Sequence, residues 1–159
     1  MSVLRPDVVL DCNVLFQALA RERGPAAELL RLVEQNHITL HLSKPILREL
    51  RRILSYPQIT QRNPQLNKDV VGKFVRRLLF RGILHHPVPH LISFFRDPGD
   101  EPYLDLVTMI SADYLITRDQ DLLTLATEHS IEAKEFRQRN PHLHIVDPVV
   151  ALSALEKPT

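Results

Sequence analysis

Cysteine is almost absent: Cys12 alone occurs in 159 residues. No internal disulfide can form, and no Cys-x-x-Cys or mixed Cys/His zinc spacing can be assembled from one thiol. Glycine is scarce as well, with four residues and no Walker or Rossmann spacing among them, which removes support for a phosphate-cradling nucleotide loop. Long apolar runs are also missing, since nowhere do about 18 apolar residues stand together. The opening MSVLRPDVVLD meets charge before any stretch long enough for a secretory signal. A reducing, cytoplasmic setting without membrane attachment is the expectation.

What is present is ordinary for a folded chain: 44% hydrophobic and 25% charged residues, enough to bury a real core in one domain spanning 1–159. The charge is unevenly placed. Ten basic residues between Lys44 and Arg81 face two acidic ones, Glu49 and Asp69, a local excess of eight; the net charge of +1 leaves the remainder at −7. Such a run is either the solvated side of amphipathic helices or a surface for a polyanion. Arg48, Arg51, Arg52, Lys73, Arg76 and Arg77 are the candidates for backbone contacts to a nucleic acid.

Short apolar runs alternate with helical spacing. Val8 to Leu10 reads as a strand ending at Asp11, with a helix continuing from Val14 to Ala20. Gly24 to Asn36 reads as a helix with Pro25 in its first turn, and Ile38 to Leu42 as a second strand. Ser43 is a good cap for a helix whose apolar face is Ile46, Leu47, Leu50, Ile53 and Leu54, and Pro57 ends that pattern. The polar, proline-bearing segment 55–67 suggests a loop before a helix over 68–81. A weak strand around 83–88, an acidic turn over 97–102 and a helix to about Ala112 follow. Tyr114 to Thr117 reads as a strand, Asp121 to Thr127 as a helix, Ile145-Val146 as a last strand, and Asp147-Pro148 as a cap for a terminal helix.

Strands alternating with helices imply an α/β fold, a three-layer sandwich with a central parallel sheet. In such sheets ligands bind beyond the carboxyl ends of the strands, where Asp11 and Asp119 both fall.

The segments VVLDCNVLFQAL, SKPILRELRRIL, DPGDEPYLDLVTMISADYLITRDQDLL and IVDPVVAL resemble the PIN domain, and more closely its subgroup of toxin components from toxin–antitoxin systems. The likeness spans nearly the whole chain. It places the family's acidic quartet on Asp11, Glu49, Asp100 and Asp119, as catalytic and metal-holding residues, with Asn13, Ser43 and Thr117 at the polar positions that brace them. It implies cleavage of single-stranded RNA with Mg2+ or Mn2+, leaving a 5′-phosphate, with homodimers common and an antitoxin protein as partner. Asp105 departs from the subgroup, which carries small or apolar residues there.

Acids make up 19 of 159 residues, so four prescribed hits by chance come at roughly 2 in 10,000 before allowing for freedom of alignment. Singly, each acid has a plainer use: Asp100 and Asp119 as helix caps, Asp11 as a turn residue, Glu49 as a partner for Arg48 or Arg52. Together they repel one another, and a divalent cation with oxygen ligands removes the conflict while leaving room for a phosphate oxygen and a water. Asp97, Glu101 and Asp121 lie near the same edge. Asp97 could exchange roles with Asp100, and Asp121 with Asp119. Asp100 is preferred for its spacing to Leu104, Leu106 and Val107, and Asp119 because Asp121 suits a helix first turn.

Cys12 reads as a small buried residue, because no phosphate loop with a following arginine accompanies it. His85, His86 and His90 are separated by two prolines and lack a fourth ligand, so they read as strand and loop histidines. Three function classes stand: a toxin-like ribonuclease, a structure-specific DNA nuclease using the same acids, and a non-catalytic scaffold of the same fold.

Overall fold

Residues 4–156 are described in a computed structural model; the expected domain over 1–159 runs past both of these limits. The strands are β1 (Asp7–Leu10), β2 (Thr39–Ser43), β3 (Ile83–His85), β4 (Tyr114–Ile116) and β5 (His144–Val146). The helices are α1 (Cys12–Ala20), α2 (Pro25–Glu34), α3 (Lys44–Leu54), α4 (Pro57–Arg62), α5 (Lys68–Arg81), α6 (Glu101–Ile110), α7 (Gln120–Thr124), α8 (Ile131–Arg139) and α9 (Pro148–Leu155). All five strands are parallel, in the order β3-β2-β1-β4-β5, with helices flanking the sheet.

The central strands carry unbroken apolar runs because both of their faces are covered. Val8, Val9, Leu10, Leu40, Leu42, Leu115 and Ile116 are all at most 1% exposed. Chain order reverses at β1: later strands add on the β2 side up to β3, then on the β4 side. The crevice between β1 and β4 is therefore the topological switch point, and Asp11 and Asp119 follow these two strands. Gly82 makes the tight passage from α5 to β3, since a Cβ there would lie 2.9 Å from both Leu42 Cδ1 and the Leu78 carbonyl oxygen.

Three local expectations are corrected. The segment expected as a loop holds α4: the previous helix ends at Leu54, before Pro57 as expected, but Pro57 then takes a first-turn position, where its missing N–H costs nothing. Helix α8 is unforeseen; Ser130 caps it through the Ala133 N–H at 3.2 Å, but only Ala133 and Phe136 are buried, so no apolar stripe marks it. The third strand stops at His85. Segment 91–95 beyond it is irregular, and its backbone is satisfied by side chains.

Candidate active site

Asp11 closes β1, and its backbone N–H donates to the Ile116 carbonyl at 2.9 Å. Its carboxylate is only 4% exposed as part of the residue. One oxygen accepts the Thr117 hydroxyl at 2.6 Å and the other the Asn13 N–H at 3.4 Å. Thr117, fully buried, also accepts the Asp119 N–H at 3.0 Å. A single hydroxyl thus fixes the ends of β1 and β4 against each other. Burial first, and the charge of Asp119 after it, raises the Asp11 pKa above the usual carboxylate range.

Glu49 sits on α3, half-buried, where the Tyr103 hydroxyl donates to its carboxylate at 2.7 Å. The same hydroxyl accepts the Cys12 N–H at 3.1 Å. Tyr103 is fully buried, so it locks Glu49 to the start of α1 from beneath. Burial raises the Glu49 pKa, and Asp11 and Asp97 add to that rise while Arg52 opposes it. Glu49 therefore shares one electrostatic neighbourhood with Asp11 and Asp97.

Asp97, Asp100 and Asp119 each place a carboxylate oxygen within 4.8 Å of the other two. Asp97 caps a single 3-10 turn, Pro98–Asp100, and accepts the Gly99 N–H at 3.0 Å. Asp119 caps α7 by accepting the Asp121 N–H at 2.8 Å. Asp100 precedes α6 yet makes no side-chain cap, so the plainer use open to it in the sequence is not taken up. Its Oδ2 is buried with no hydrogen-bond donor among the described residues. Asp100 is driven up to a pKa of about 8, by burial first and then by the charges of Asp119, Asp97 and Asp11.

Among the residues expected to brace the acids, Thr117 does so directly. Asn13 acts through its backbone N–H, its residue being exposed. Ser43 is buried and accepts the Ile46 N–H at 3.4 Å, so it sets the start of α3 and hence the placing of Glu49. Glu101 turns toward the Phe94 N–H at 2.7 Å. Asp121 lies 4.0 Å from Arg96, half-exposed. The sequence offered Asp97 as an alternative to Asp100, and the fold sets both inside the cluster; the Asp-Pro-Gly-Asp turn was the signal. Tyr103 was missed, because on a buried helix face it looks like any core aromatic.

Arg48, Arg51, Arg52, Lys73, Arg76 and Arg77 are all exposed. Arg52 is the one whose charge reaches Glu49. Arg51 and Arg76 line one groove between α3 and α5. Arg77 pairs with Glu34 on α2. Cys12 is 1% exposed and its thiol is pushed up to about 12 by burial, as suits a core residue.

These residues fit a divalent cation. Two acceptors such as Asp100 and Asp119 can meet only by sharing a proton or a cation. The donor set is all oxygen, which suits magnesium or manganese over softer metals. Asp97, Asp100 and Asp119 are placed to hold the ion.

The family model described as PIN domain matches residues 7–121, which takes in Asp11, Glu49, Asp97, Asp100 and Asp119. An uncharacterized protein of Methanocaldococcus jannaschii is 26% identical over 157 residues, covering 99% of this chain and 96% of that protein.

Proposed function

Because the chain belongs to the PIN domain family, whose members are in general metal-dependent nucleases, we propose that it is an endoribonuclease that cuts single-stranded RNA with Mg2+ or Mn2+. The observation that carries this reading is the meeting of Asp97, Asp100 and Asp119 within 4.8 Å of one another, with a buried Asp100 oxygen that has no hydrogen-bond donor among the described residues. When bound, the metal supplies charge neutralisation at the phosphate and a more acidic water.

The chain's own residues do the rest. Thr117 keeps Asp11 and Asp119 in a fixed relation, so that positioning is built in before substrate arrives. Tyr103 does the same for Glu49. Arg52 lies three residues after Glu49 on α3 and its charge acts on that carboxylate, and Arg51 and Arg76 line the groove between α3 and α5, which favours a polyanionic strand. Arg48 and Lys73 extend that surface on the same two helices.

We assign the protein a toxin-like role restrained by an antitoxin in the cytoplasm, on the strength of the motif resemblance. Phe80, Ile83 and Leu84, exposed at the edge strand and the helix before it, are the surface we assign to a second copy in a homodimer. Matched single-stranded RNA and DNA oligonucleotides, incubated with magnesium or manganese, test the substrate class. Cleavage of the RNA alone supports this reading, and cleavage of the DNA alone refutes it.

A further inference from the structure

Segment 91–95, which leads in sequence to Asp97, and α8 line an open cavity of about 370 Å³, within the range of about 300–1,000 Å³ usual for small-ligand pockets. Leu125 and Phe136 line it from within, Phe95 and Ile131 stand at its rim, and Glu132 and Glu135 edge it with negative charge. Phe95 is 87% exposed and Ile131 77%. Apolar groups of this size held in water side by side mark a contact surface.

Phe95 is exposed although its segment is firmly held. The Leu91 and Ile92 N–H groups both donate to buried Asp105 at 2.8 Å, the role filled by the acid that departs from the family pattern. The Phe94 N–H donates to Glu101 at 2.7 Å. Arg139 holds the Leu91 carbonyl at 2.8 Å, and Arg96 spans to Thr124 at 2.8 Å and Glu128 at 2.6 Å. The ring is therefore presented by a pre-organised backbone, which lowers the ordering cost of binding. It is also close to the chemistry: a single residue, Arg96, separates it from Asp97, so the two Cα atoms lie within about 7.6 Å.

We propose that this notch is a nucleobase subsite, in which Phe95 stacks on the base next to the phosphate held at Asp97, Asp100 and Asp119; the proposal rests on the ribonuclease reading above. The apolar floor admits the ring of a base, and at its edge Glu132 and Glu135 outnumber Arg139, which also lines it. The rim carboxylates accept hydrogen bonds only. They favour bases with an exocyclic amino group over uracil, whose one donor on that edge, N3–H, is flanked by two carbonyl oxygens.

The test uses wild-type protein, Phe95→Ala and Phe95→Trp, with single-stranded RNA in which one abasic site is stepped through the positions around the cleaved bond. A stacked base is worth about a tenfold effect or more. Phe95→Ala should lose about tenfold in kcat/KM on intact RNA, and removal of one particular base should cost the wild type as much. Phe95→Ala should lose nothing further from that removal, and Phe95→Trp should restore the rate. Discrimination against uracil at that position should relax in Glu132→Gln combined with Glu135→Gln. An unchanged melting temperature, expected for a ring this exposed, separates these effects from misfolding. If Phe95→Ala loses equally on intact and abasic RNA at every position, the subsite is refuted and the ribonuclease reading stands. If the wild type cuts no RNA with either metal, both fall.

Discussion

Replacing Asp100 by Asn should make the metal-free protein more stable while abolishing its activity. The carboxyl has an ordinary pKa of 3.8, and in the fold it reaches about 8, through burial first and then the charges of Asp119, Asp97 and Asp11. Below about pH 4 the group is protonated in both folded and unfolded chains and has no effect on stability. Between about 4 and 8 the folded chain keeps a proton that the unfolded chain has lost, so each pH unit lowers metal-free stability by about 1.4 kcal/mol. Across the window the ceiling is about 6 kcal/mol, a large share of the roughly 5–15 kcal/mol that holds a domain together. Asn removes the charge but leaves Asp97, Asp119 and Asp11 in place, so about half of that ceiling is the expected gain at pH 8. At about 2–4 °C per kcal/mol for a chain of this size, the melting temperature should rise by about 6–12 °C in EDTA. Circular-dichroism melts at pH 4.5, 6 and 8, with EDTA and with manganese, provide the assay. The gain should shrink to a small fraction at pH 4.5 and also shrink in manganese, which offsets the same repulsion. A variant less stable than wild type at pH 8 in EDTA would refute the charge-conflict argument.

Tyr103→Phe removes the hydroxyl shared by Glu49 and the Cys12 N–H; it should cost about 1–3 kcal/mol by leaving a buried donor unpaired, and should lower kcat more than it raises KM. Stability and turnover unchanged in that variant would show that Glu49 needs no such support. Cys12, buried and with its thiol pushed up to about 12, should resist alkylation by iodoacetamide at pH 8 until the chain is denatured, and rapid labelling of folded protein would contradict this. Among the basic residues, Arg52→Ala should flatten the salt dependence of RNA affinity by about 0.7 in log–log slope, the share of one phosphate contact on a single strand. Arg77→Ala should flatten it less, because Arg77 is already paired with Glu34. Equal slopes for wild type and both variants would make the basic helices a solvated face.

The parts of this molecule legible in the sequence are those where one period or one chemistry dominates. The two strands β1 and β4 announced themselves as short apolar runs, and Ser43 and Asp147 cap α3 and α9 as their positions suggest. The acids after β1 and β4 were legible because a strand end fixes where its next residue points. Glu49 and Asp100 depended on the motif resemblance, since a lone acid on a helix has many uses. Pro57 misled because proline both ends and begins helices, and only packing decides which. Helix α8 was hidden because it lies on the surface with two buried residues and little pattern. Asp97 and Tyr103 lie further from view. Their places in the site depend on how the 3-10 turn and α6 stack on β1, a long-range outcome that local spacing does not encode.

The central claim is that Asp97, Asp100 and Asp119 hold the divalent ion that cleavage requires. Manganese occupancy followed by electron paramagnetic resonance, in the same samples in which cleavage of single-stranded RNA is timed, tests it most directly. Occupancy and cleavage should rise together in the wild-type protein, fall together on adding EDTA, and both be lost in Asp119→Asn. Cleavage that continues at the wild-type rate in EDTA, or in Asp119→Asn protein that binds no manganese, would contradict it.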